Sequence, residues 1–133
     1  MKRLELYIPL AINVVEDLFL QDDNKVASEY DNLASKFGVT IRQLGLKSAI
    51  VAFSGVSKGS DVQKELITKA VLRIIRLSEN GICREEDTLM DLVWSNSTNS
   101  LLKPKIIEAA VALKLALRLF TQKEDKTKED EES

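Results

Sequence analysis

The chain contains no histidine. That removes the side chain used most often as a general base, the usual neutral zinc ligand, and every Ser-His-Asp or Cys-His arrangement for nucleophilic catalysis. Cys83 is the only cysteine, so no internal disulfide and no thiolate metal cluster can form, and a reducing compartment fits. Two prolines, five glycines and few aromatic residues leave little to interrupt a helix. No apolar run is long enough to cross a membrane. The basic and then apolar start "MKRLELYIPL" is interrupted at Glu16 and Asp17 and lacks a small-residue cleavage site, so it reads as part of the folded protein and not as a signal peptide. These absences predict a cytoplasmic protein with no membrane partner, no metal and no cofactor.

What is abundant is alanine, leucine, lysine and glutamate, which predicts an all-α fold. A chain of 133 residues suits one domain and can bury a core without staples. The charge is uneven. Residues Gln122 to Ser133 hold three lysines and six acidic residues, and the whole chain has a net charge of −2, so the body is close to +1. The tail "TQKEDKTKEDEES" has no apolar residue to bury and reads as disordered. The expected organisation is a helical bundle of about five to six helices over 1–121 and a disordered acidic tail over 122–133.

Apolar periodicity locates the elements. Ala11, Val14, Val15 and Leu18 share a face of a first helix from about Pro9 to Leu20, with Pro9 suited to the first helical position. Val26, Tyr30, Leu33 and Phe37 share a face of a second. Gly38 follows Phe37, where a left-handed residue commonly ends a helix. Thr40-Ile41-Arg42-Gln43 then matches a capping box, which predicts a third helix from near Ile41 with Gly45 inside it, tolerated for a close backbone approach. Ser60-Asp61-Val62-Gln63 is a second capping box, opening a helix that ends near Leu77. A shorter helix covers about Glu85 to Trp94, and the last runs from near Pro104 to Phe120. There is no internal repeat.

Motifs for catalysis are scarce. "GVSKGS" lacks the lysine directly after the second glycine that a phosphate-binding P-loop requires, and reads as a plain inter-helix loop. Glu85, Glu86, Asp87 and Asp91 form the densest acidic cluster in the body. Such carboxylates can hold Mg²⁺, but acids also collect in the first turn of a helix because its dipole favours them, and no second carboxylate group stands at matching spacing. The expectation is a protein that is not an enzyme.

The cations are more suggestive. Arg42, read as lying in the first turn of the third helix, sits where the dipole disfavours a cation and free amides attract anions. Either a carboxylate within the fold pairs with it or a phosphate binds there. Lys36 and Lys47 flank it and complete a local basic patch. Arg73 belongs to a helix with acids early and bases late, which is either a solvated face or a second basic strip for RNA phosphates. Tyr7, Tyr30 and Trp94 are too scattered to propose a base-stacking platform. The last helix has two apolar faces: Ile106, Ala110, Leu113, Leu117 and Phe120 on one, Val111, Leu115 and Leu119 on the other. A helix apolar on two sides is central in its own domain or shared with a partner, so Val111, Leu115 and Leu119 are candidate subunit-interface residues.

At "EYDNLASKFGVTIRQLGLKSAIVAFSG" the chain resembles the small helical subunit of the type III-B CRISPR effector, the Cmr RNA-silencing complex. The resemblance rests on Tyr30 ahead of a short helical run, on Ile41-Arg42-Gln43-Leu44-Gly45-Leu46, and on Ala49 or Ala52 with Phe53. Chain length and a closing Ala/Leu-rich helix with late basic residues, Lys114 and Arg118, agree. The chain departs from the family in the last helix, where "ALKLALRLF" lacks an aromatic residue followed by a Lys-Arg pair. The resemblance implies a non-catalytic subunit that stacks in several copies beside the crRNA and helps hold the crRNA–target RNA duplex in antiviral defence. Its partners would be other CRISPR effector subunits, copies of itself, crRNA and target RNA. Arg42 and Lys47 would be the first phosphate contacts, with Lys36 and Arg73 beyond them. A helical protein–protein adaptor without RNA binding is the alternative.

Overall fold

The computed structural model describes residues 2–19, 29–54, 64–79, 88–95 and 101–132. Every regular element among them is a helix: α1 (Lys2–Leu18), α2 (Glu29–Leu44), α3 (Leu46–Phe53), α4 (Glu65–Ser78), α5 (Leu89–Ser95) and α6 (Leu102–Glu132). The protein is an all-α single-domain bundle, as its composition predicts.

Helix α6 is the central element and packs against α1, α2 and α4. Its buried side chains alternate small and large: Ala109, Ala110, Ala112 and Ala116 with Ile106, Leu113 and Leu117. The alanines let neighbouring helices come close, and the branched residues fill the space between them. Tyr7, Ala11, Val14 and Val15 cover it from α1, and Tyr30, Ala34, Phe37 and Ile41 from α2. Helix α4 contributes Ile67, Ala70, Val71, Leu72, Ile74 and Ile75. Two aromatic pairs tie elements together. Phe19 meets Tyr30 edge-on, with centroids 4.8 Å apart, and Phe37 meets Phe53 at 5.0 Å. Ion pairs bridge the neighbouring elements to α6 at the surface: Arg3–Glu108 at 2.7 Å, Lys105–Glu79 at 3.2 Å and Arg118–Asp31 at 3.4 Å.

Two expectations about the elements are corrected. Helix α1 begins at Lys2, so Pro9 lies inside it and not at its first position. A proline there removes one backbone hydrogen bond. Tyr7 and Ala11, buried on either side of it, hold the turn onto the core, and Pro9 itself faces solvent.

The second correction concerns the two glycines. Helix α2 runs through Gly38 without a break and ends at Leu44, because Phe37 and Ile41, four apart across Gly38, are both fully buried on one face. Thr40 is no N-cap. Its hydroxyl donates back to the Lys36 carbonyl at 2.7 Å, the bond of a threonine in mid-helix. The break comes at Gly45, whose φ of 94° and ψ of 164° lie in a region open essentially to glycine alone. Gly45 still accepts the first hydrogen bond of α3, from the Ala49 amide at 3.1 Å. No close approach explains it, since a Cβ built there meets nothing within 4 Å.

Helix α5 opens at Thr88, whose hydroxyl accepts from the Asp91 amide at 3.1 Å, an N-cap bond. Glu85 to Asp87, Cys83, Val26, the "GVSKGS" loop and the Ser60–Gln63 capping box lie outside the described residues. The backbone of α6 continues as helix to Glu132, into the stretch 122–133 that composition predicts as a disordered acidic tail. Lysine and glutamate are strong helix formers, and they extend a helix already nucleated by its core-packed half.

Candidate nucleic-acid interface

Arg42 sits in the last turn of α2, not the first turn of α3. The dipole argument therefore reverses: a cation is favoured at this end, by about 0.3–1 kcal/mol. Arg42 is on the α6 side of its helix. The Arg118–Asp31 pair joins the start of α2 to the later part of α6, while Arg42 shares a cleft with Ile107 and Lys114, so the two helices run in opposite directions.

That cleft, of ≈ 140 Å³, has a floor of small residues, Ala34, Gly38 and Ala110. Val39 and Val111 wall it, and Ser35, Arg42 and Lys114 supply its polar atoms. The physical cause of the opening is on its floor. Where α2 and α6 pass, alanine and glycine leave a volume that larger side chains would fill, and the long stems of Arg42 and Lys114 line it. Neither cation makes an ion pair with a described residue. Of the two readings of Arg42 left open by its sequence context, an internal salt bridge thus has no counterpart among the described residues.

The other three candidate cations occupy separate settings. Lys36 is exposed on α2 but six residues before Arg42, which places it roughly 120° around the helix from it. Lys47 is exposed on α3, with its Nζ 5.3 Å from the centroid of the Trp94 ring on α5. Arg73, on α4, donates to Asp17 of α1 at 3.2 Å, so a carboxylate already faces it. Arg42, Lys47, Lys36 and Arg73 therefore have different immediate neighbours. The residue that does share a cleft with Arg42 is Lys114, outside the sequence-derived candidates for phosphate contact. Its only sequence signal is its place as a late basic residue in the last helix.

The second apolar face of α6 stands where the pattern puts it. Leu113 and Leu117 are buried, whereas Leu115 and Leu119 are 38% and 49% exposed. Val111, one turn earlier in the same row, is half-buried in the wall of the cleft. Val39 on α2, also exposed, borders the same opening. A cationic cleft and an exposed aliphatic row thus adjoin on the α2–α6 side of the molecule.

No cluster of three potential metal ligands occurs among the described residues, and no described helix is long and apolar enough to cross a membrane. No protein-family model, no curated protein and no solved structure matches the chain.

Proposed function

We propose that the protein is a non-catalytic small subunit of a type III-B CRISPR RNA-guided effector complex, one that packs beside copies of itself and other effector subunits and contacts the phosphates of the crRNA–target RNA duplex. The observation that carries this reading is the cleft between α2 and α6, where Arg42 and Lys114 stand without a carboxylate partner among the described residues. Arginine and lysine on two facing helices can pair with phosphates at the mouth of the cleft. The segment behind the family resemblance folds in a way that fits such a role. Ile41, Ala49 and Phe53 are core residues, Gly45 makes the corner between α2 and α3, and Arg42, Gln43 and Leu44 are left to solvent. The exposed row of Leu115 and Leu119 next to the cleft suits subunit packing.

The reading has a direct test. Arg42→Ala with Lys114→Ala should weaken binding of labelled duplex RNA, measured by anisotropy at low salt. The slope of log affinity against log salt should fall in magnitude by about 1.8, since two cations would no longer neutralise a phosphate each. A double variant with an intact helical spectrum and the parent's affinity and slope would leave the second reading, a protein–protein adaptor supported by Leu115 and Leu119 alone.

A further inference from the structure

Trp94 is the only tryptophan in the chain. It stands on α5, whose Leu89 and Val93 are buried and hold the helix against the core. Trp94 itself remains 44% exposed, while Tyr7 and Tyr30 are 2% and 4% exposed. The large aromatic surface left in water is therefore concentrated at one firmly anchored place. Lys47 lies over that ring and has no carboxylate partner among the described residues. Val51, one turn further along α3, is exposed as well. The Gly45 corner is what brings α3, and Lys47 with it, beside α5.

We infer that Trp94 and Lys47 form a stacking contact for an unpaired RNA base, with the indole taking the face of the base and Lys47 moving from the ring to the adjoining phosphate. The inference rests on the RNA reading above and adds a contact of a different kind, away from the cleft. A nucleotide joins a flat π-face to an anion within one residue, and this pair of side chains presents the complement of both. A protein partner closing over Trp94 would instead bury the Lys47 ammonium, which costs desolvation unless a carboxylate comes with it. Bases within a duplex are already stacked on each other, so the nucleotide taken is one left unpaired or displaced.

Because Trp94 is the sole tryptophan, its emission reports on this contact alone. Titration of the full chain with a short single-stranded oligoadenylate at low salt should quench the indole emission, whereas inorganic polyphosphate should bind the cations without quenching it. Trp94→Ala should weaken oligoadenylate binding about tenfold by anisotropy, with Trp94→Phe recovering part of the loss. Should Trp94→Ala fail to fold, as judged by far-UV circular dichroism, the emission of the parent and of Lys47→Glu decides. Lys47→Glu should then bind the oligonucleotide more weakly with quenching reduced. Oligonucleotide binding without a change in emission, or equal quenching by polyphosphate, overturns the stacking contact and leaves the cleft reading standing. Absence of binding to both single-stranded and duplex RNA overturns both together.

Discussion

Gly38 and Gly45 lie seven residues apart, and a Cβ built on either would meet nothing within 4 Å. Their steric surroundings are alike, yet one is carried silently through the middle of a helix and the other divides two helices. The difference is in the backbone. Gly38 has helical geometry, which alanine adopts more readily than glycine, while Gly45 has a φ of 94° that an L side chain rarely adopts. Open space around a glycine therefore does not make it dispensable; at Gly45 the φ decides.

The contrast can be broken by mutation, and the largest effect is expected at the corner. Gly45→Ala should destabilise the protein by about 1–3 kcal/mol in urea unfolding, through strain and not through collision. Equal stability of the variant and the parent would mean that the corner is not built as described. Gly38→Ala should act in the opposite direction, raising stability by about 0.5–1 kcal/mol, because it removes chain entropy from the unfolded state without straining the folded one. A loss at this position would return Gly38 to the role of helix terminator. The smallest effect is expected at Thr40. An N-cap threonine replaced by alanine costs about 1 kcal/mol, whereas a mid-helix threonine bonded to the carbonyl four residues back should change stability by less than about 0.5 kcal/mol on becoming alanine. Measured together, the three substitutions locate the helix boundary by the signs of their effects.

The same pair of glycines shows how far the residues could be read in isolation. Phe37-Gly38 followed by Thr40-x-x-Gln43 satisfies local rules for a helix end and a new start, and those rules misplace the break. The contrary signal was the spacing of Tyr30, Ala34, Phe37 and Ile41, at i, i+4, i+7 and i+11, which keeps one face apolar across Gly38. Burial of that row outweighs the roughly 1 kcal/mol that a mid-helix glycine costs. Pro9 gives the same lesson, since a residue suited to a first turn is carried inside a helix whose apolar face starts earlier, at Tyr7. At the candidate interface, the types of residue were legible and their partners were not. Asp17 and Arg73 are 56 residues apart in the chain and Asp31 and Arg118 are 87 apart, so no local pattern predicts that they meet.

The all-helical character, the amphipathic faces of α1, α4 and α6 and the two-sided apolar pattern of α6 follow from composition and periodicity, because helix propensity and a 3.6-residue repeat are properties of neighbours along the chain. Packing of the helices against one another made the other decisions: Arg42 at a helix end that favours it, Lys114 across the cleft, Asp17 on Arg73, and Lys47 over Trp94. Each of these depends on which helix lies beside which, and that is settled by how the whole core fills its volume, a property no stretch of the chain carries alone.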